Sequence, residues 1–367
     1  MKYEIQCIIC KKNQEDQELR CNNCDNLFAV FFEDYFDKKE ILNERSMWRY
    51  AKMFPWIKNN NIVTLGEGGT PLIKDGNNIS FKLEYVSPTG SFKDRGTAMM
   101  FSSIIQDLKN KKIKRITEDS SGNAGASISA YSAYLKLECN IYAPETVSGA
   151  KAKQIEVIGS NLIKVKGSRD KLMKAAEDAA SGDTFYASHI FNPFFAEGTR
   201  TLAYEISDQL NWNVPDYIFL PCSAGTMLLG VIKGFRQMFN SNIIPKMPTI
   251  IATQTEQVSP LYHEFHGKKY TPLKSITSVA DALTSVNPPR LKEMENLIKI
   301  NKGNVEIASE KEIIENYKIL SKKGFHCEPS SAVAYSGFKK WVNANKINSD
   351  DKVVIVLSGS GLKSTLP

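Results

Sequence analysis

The chain predicts an α/β fold with mostly parallel sheets, because strand-like runs alternate with helical stretches from about residue 62 onward. A second observation is where the strands end. Residues 216–220 are β-branched and aromatic and run into Pro221 and a glycine loop; residues 353–357 are wholly apolar and run into another. The third is length: 367 residues exceed one ordinary core and suit two domains plus a small appendage.

The elements follow in order. Residues 81–85 read as a strand, 97–108 as a helix, 114–118 as a short strand and 124–135 as a helix. Residues 140–143 and 162–165 are strand-like, and a helix over 227–239 follows the strand at 216–220. Internal repeats and low-complexity tracts are not evident.

The first forty residues differ from the rest. Cys7-x-x-Cys10 is followed, ten residues on, by Cys21-x-x-Cys24. Each pair forms a tight knuckle that presents two thiolates, and two knuckles make a tetrahedral four-sulfur site that suits zinc. The polar segment between them is long enough for a hairpin. Residues 1–40 are therefore expected to be a zinc-ribbon-like segment with Cys7, Cys10, Cys21 and Cys24 as ligands; a degenerate ribbon without metal is the plain alternative. Seven cysteines, an odd number, argue against a disulfide framework.

The net charge of +7 is modest and scattered, with short clusters at 109–114 and 322–323 and no basic stripe interleaved with aromatics. Nucleic-acid binding is not expected. No apolar run approaches the ~20 residues of a membrane helix. The N-terminus lacks a secretory signal pattern, so a cytoplasmic protein is expected.

Three loops of glycine and small residues carry the chemistry. Each follows a predicted strand, and in parallel sheets ligands bind at such places. Residues 87–96 read SPTGSFKDRG, with Lys93 at a helix entry. An ammonium there, partly desolvated, has its charged form disfavoured, which favours the neutral amine that attacks carbonyls. On spacing alone, an ordinary surface lysine is the simpler reading.

The segment resembles the lysine motif of fold-type II pyridoxal-phosphate (PLP) enzymes, and of threonine synthases in particular. GEGGTPL at 66–72, SSGNAG at 120–125, NP and EG at 192–193 and 197–198, PCSAGT at 221–226, EPSSA at 328–332 and SGSGLK at 358–363 resemble further motifs of that family, in order, to the C-terminus. Some members also carry a four-cysteine ribbon ahead of the catalytic body.

The resemblance implies a tryptophan synthase beta-like, two-domain fold with PLP between the domains. A smaller, mobile domain of residues 84–183 would close on substrate, and residues 41–83 with 184–367 would form the larger PLP-binding domain. It implies a Schiff base on Lys93, which then acts as acid and base. Asn123 would hold the ring's phenolic oxygen. Ser120, Ser121, Gly122 and Asn123 would bind the substrate carboxylate at a helix N-terminus. Ser223, Ala224, Gly225, Thr226 and Met227 would cradle the cofactor phosphate, and Ser358 would face the pyridine nitrogen. A homodimer is implied too.

Several positions depart from the family. Ser223 and Ala224 stand where Gly and Asn are common. Phe195 stands where threonine synthases carry an arginine for the substrate phosphate, and Ser360 where they carry histidine. Arg200, Lys363, Arg290 or His189 would have to supply the missing charge. The implied reaction is therefore O-phosphohomoserine plus water to threonine and phosphate, with two alternatives. One is β-elimination or β-replacement on another amino acid, of the serine/threonine dehydratase or cysteate or cysteine synthase type. The other is a non-catalytic PLP-binding paralogue.

Overall fold

The computed structural model describes residues 2–16, 18–76, 78–147, 149–167 and 169–364. The chain divides into two compact units. The first holds residues 1–33, 40–67 and 87–198; the second holds 34–39, 68–86 and 199–367.

In the first unit four parallel strands run side by side in the order Asn161–Val165, Glu138–Pro144, Arg115–Glu118, Thr184–Tyr186. Helices Lys93–Asn110, Asn123–Tyr134, Gly149–Ile158 and Arg169–Asp178 accompany them. Strand Arg115–Glu118 is central, and Ile116, Thr117 and Glu118 are buried. A separate antiparallel pair, Tyr3–Cys7 with Phe28–Phe32, carries the cysteine knuckles.

The second unit has a six-stranded sheet in the order Asn304–Ala308, Thr249–Thr255, Tyr217–Pro221, Val353–Leu357, Ile79–Leu83, Leu72–Lys74. All neighbours are parallel except the edge strand Leu72–Lys74. Val353–Leu357 is buried along its whole length, as its unbroken apolar run requires of a strand covered on both faces. Phe81, Phe219 and Ile355 join Val333, Phe338 and Trp341 of helix Pro329–Asn343 in one core.

The α/β fold with parallel sheets matches the expectation. The strand at 81–85 lies two residues earlier, because Glu84–Val86 turns into a 3-10 segment. The helix expected from residue 97 begins at Lys93. Its first turn is polar, which hid it from a reading of apolar periodicity. Among the described residues no helix is long and apolar enough to cross a membrane.

Candidate active site

Lys93 is the first residue of helix Lys93–Asn110, half-buried at the helix's positive end. The loop before it is locked by a residue that sequence reasoning passed over. Asp94 accepts hydrogen bonds from Thr89 N–H (2.7 Å) and Thr89 Oγ1 (2.7 Å), and from Ser127 Oγ of the next helix (2.6 Å). Three donors fix this fully buried carboxylate in place. Ser91, two residues before the lysine, is fully buried, and its Oγ has no hydrogen-bond partner.

Above this segment sits Phe195. Its ring covers Gly96, where a Cβ would lie 2.3 Å from Cε1, so only glycine fits. Gly198 repeats the device, with a Cβ position 2.1 Å from the Arg95 carbonyl oxygen. The short helix Phe195–Gly198 is thereby pressed backbone to backbone on helix Lys93–Asn110. Lys93 Nζ lies 5.0 Å from the Phe92 ring centre and 5.7 Å from that of Phe195, both within cation–π range.

Strand Arg115–Glu118 runs into Ser120, Ser121 and Gly122, which are half-buried, and then into helix Asn123–Tyr134. Gly122 N–H donates to Ser120 Oγ (3.3 Å). Gly125 is obligatory, since a Cβ would lie 1.7 Å from the Ser120 carbonyl oxygen. Asn123 is buried as the first helical residue.

A charged cluster at the same strand end was not foreseen as a group. His189 Nδ1 lies 2.6 Å from Glu118 Oε1. Next to Glu118, Asp119 accepts from Tyr186 Oη (2.8 Å) and pairs with Arg169 Nη2 (2.6 Å). Burial, then the neighbouring Asp119 charge, pushes the Glu118 carboxyl well above its ordinary range. Burial, then the Lys93 and Arg169 charges, holds His189 well below its own. Both shifts favour the uncharged forms of the pair.

In the second unit, strand Tyr217–Pro221 leads through Cys222, Ser223, Ala224 and Gly225 into helix Thr226–Asn240. Gly225 caps the helix in the left-handed region at φ 91°, where a Cβ would strike Met294 Sδ at 2.0 Å. Ser223 Oγ accepts from Ser285 N–H (3.3 Å), and Thr199 Oγ1 donates to the Thr226 carbonyl (2.8 Å). Met227 is the second helical residue. Burial pushes the Cys222 thiol up to about 12, so it is a packed small residue and no nucleophile. Ser358 follows the central strand, nearly buried, with its Oγ 3.1 Å from Ser331 Oγ.

Two of the four candidate cations of the sequence analysis are engaged in the second unit. Arg200 Nη1 donates to Gln237 Oε1 (3.1 Å), and Arg290 pairs with Glu293 (2.8 Å). Lys363 is buried in the 3-10 turn Gly361–Lys363. Burial, then the Lys93 and Arg169 charges, disfavours a positive charge on His189.

The four cysteines come together in the first unit. Sγ separations are 3.4 Å for Cys7–Cys24 and 3.5 Å for both Cys10–Cys21 and Cys10–Cys24, and all four sulfurs lie within 4.8 Å of one another.

A buried unpartnered hydroxyl beside a lysine, and a glycine-shaped loop at a helix N-terminus, fit a phosphate-bearing carbonyl cofactor. Comparison with known proteins agrees. The family model for pyridoxal-phosphate dependent enzymes matches residues 63–359. The chain is 31% identical to the threonine synthase of Methanocaldococcus jannaschii over 97% of this chain and 92% of that protein. It is 31% identical to the threonine synthase of a Bacillus species over 86% of this chain and 89% of that one. Among solved structures, an L-serine ammonia-lyase from Rhizomucor miehei superposes with a TM-score of 0.68 at 21% identity, covering 81% of this chain and 95% of that chain. A cysteine synthase from Entamoeba histolytica gives 0.68 at 22%, covering 84% and 89%. The fold is that of fold-type II PLP enzymes. The chain belongs to the pyridoxal-phosphate dependent enzyme family and is a threonine synthase-like PLP-dependent lyase.

Proposed function

We propose that this lyase removes or replaces an uncharged side-chain substituent of an amino acid, in a β-elimination or β-replacement that uses Lys93. The observation that carries this reading is Phe195. Its fully buried ring lies on Gly96 within cation–π range of Lys93; the resemblance of residues 192–198 to the family's motif implies that threonine synthases carry a phosphate-gripping arginine there. A phenyl ring offers no donors to a phosphate dianion. The hydrogen bond of Arg200 to Gln237, the ion pair of Arg290 with Glu293 and the lowered pKa of His189 support the same reading.

When bound, PLP supplies an electrophilic carbonyl and an electron-accepting ring. The residues around it have separate tasks in this proposal. Lys93 would hold that carbonyl through its amine and move the proton at the substrate Cα. Asn123 would hold the ring oxygen, and Ser358 would place a hydroxyl beside the ring nitrogen. Backbone N–H groups at Ser120, Ser121, Gly122 and Asn123 hold the carboxylate. Those at Ser223, Ala224, Gly225, Thr226 and Met227 hold the phosphate.

A second reading, O-phosphohomoserine to threonine, is favoured by the near full-length likeness to threonine synthases. The two separate in one experiment. PLP-loaded protein is given L-serine, L-threonine or O-phosphohomoserine, with phosphate release measured and products identified by mass spectrometry. The expected result is ammonia and a 2-oxo acid from a hydroxy amino acid, lowered on the order of 10⁴-fold in Lys93→Ala. Stoichiometric phosphate and threonine would overturn it in favour of the second reading.

For the N-terminal cluster we propose a structural zinc on Cys7, Cys10, Cys21 and Cys24. The mutual approach of the four sulfurs supports it, since zinc takes four thiolates in a tetrahedron. Purified protein should hold about one zinc per chain and lose thermal stability on chelation. Metal-free protein with an unchanged melting curve would count against the site.

A further inference from the structure

We propose that His189 is the proton donor to the departing oxygen of the substrate, with Glu118 as the positioning residue that keeps and resupplies its proton. The inference rests on the uncharged-leaving-group reading above. A hydroxyl leaves poorly as hydroxide and readily as water, so such a reaction needs an acid at the oxygen. A phosphoester does not.

The first unit places one suitable group near Lys93. The His189 ring stands edge-on to Phe195, with centres 5.8 Å apart, and Lys93 Nζ lies 5.7 Å from the same Phe195 ring. His189 is 7% exposed; among the described residues only its Nδ1 has a hydrogen-bond partner, Glu118. The neighbouring groups are committed elsewhere. Tyr186 Oη donates to Asp119, and Asp119 is neutralised by Arg169. That guanidinium supplies the positive charge that faces Asp119.

The surroundings of Glu118 favour one placement of the shared proton, adopted in this proposal. Glu118 Oε2 is buried without a partner, and the other carboxylate, Asp119, is adjacent in sequence. An ionised Glu118 would leave an anionic oxygen buried and unsatisfied beside a like charge. Protonated, it donates from Oε1 to Nδ1, and His189 then carries its hydrogen on Nε2. The charged and titratable groups around the pair are Lys93 on helix Lys93–Asn110, Arg169 on helix Arg169–Asp178, Asp119 beside Glu118, Cys139 on strand Glu138–Pro144 and Tyr186 on strand Thr184–Tyr186. Lys93 and Arg169 both oppose a third positive charge on the imidazole.

The step balances. The amine of Lys93 takes the Cα proton, and the C–H electron pair becomes the second Cα–Cβ bond. The Cβ–O bond breaks with its pair going to oxygen, which takes the proton from His189 Nε2 and leaves as water. The Glu118 proton moves to Nδ1. The dyad ends as a neutral imidazole protonated on Nδ1 beside a carboxylate, and a proton from solvent restores it.

The test compares L-serine, whose hydroxyl needs a proton, with β-chloro-L-alanine, whose chloride does not. His189→Gln and Glu118→Gln should each lose about 100-fold in kcat on serine and less than about 3-fold on the chloro compound. Equal losses on both substrates, or no loss on serine, would overturn the donor role while leaving the reading above intact. Wild-type protein that processes the chloro compound and not serine or threonine would overturn the donor role alone, whereas stoichiometric phosphate and threonine from O-phosphohomoserine would sink the reading and the donor role with it. A second readout needs no turnover and no variant: ¹⁵N NMR of His189 should show a neutral ring protonated on Nε2 at neutral pH. An imidazolium, or the Nδ1–H tautomer, overturns the assignment.

Discussion

The loop after strand Arg115–Glu118 and the loop after strand Tyr217–Pro221 occupy equivalent places, each at the C-terminal end of a parallel strand and the start of a helix. They are made of opposite materials. Around the first stand Glu118, Asp119, His189, Arg169 and Lys93, most of them buried. The second holds small side chains and a left-handed glycine, and its one titratable group, Cys222, stays protonated. A group that must gain and lose protons needs neighbours that shift its pKa. A group that only holds a fixed anion needs backbone N–H donors and room for close approach. The first loop's surroundings suit proton transfer, the second loop's suit phosphate.

Glycine replacement should break that equivalence most strongly. Gly225→Ala puts a methyl in a left-handed cap and 2.0 Å from Met294 Sδ. It should cost about 2–4 kcal/mol in urea unfolding. Gly122→Ala, at the matching cap of the first loop, meets nothing nearer than Ser120 Oγ at 3.7 Å, and its φ of −99° is ordinary. It should cost less than about 1 kcal/mol. Equal losses would show that the second loop's shape is not set by its glycine.

The same contrast explains what was legible in the sequence. The layout of the second loop was readable because it consists of local facts: a strand end, small residues, and Gly225 before a helix. The lysine segment was readable for the same reason. The Glu118–His189 pair was not, because its partners are 71 residues apart and meet only when strands Arg115–Glu118 and Thr184–Tyr186 pair. Asp94 was visible as a residue, but its lock on Thr89 and Ser127 depends on two helices meeting. In the second half, helix Glu310–Lys322 had a readable start, Ser309 with Glu312 three residues on, and the capping box is present.

The smallest expected effect sharpens the comparison through pH. Glu118 has its folded pKa raised well above 4.5, so the native state keeps a proton the unfolded chain has released. Its contribution to stability is full below 4.5 and is lost as pH rises toward the folded value. His189 has its folded pKa lowered well below 6.5, so its contribution is full above 6.5 and is lost as pH falls. Between those two values the slopes oppose, each reaching at most about 1.4 kcal/mol per pH unit. Relative to wild type, the stability of Glu118→Gln should therefore rise with pH across this window, and that of His189→Gln should fall. Gly225→Ala, which touches no titrating group, should keep the wild-type slope. Urea midpoints at several pH values decide it: parallel curves for all four proteins would mean that Glu118 and His189 titrate alike in the folded and unfolded chain, and the first loop would lose the property that sets it apart from the second.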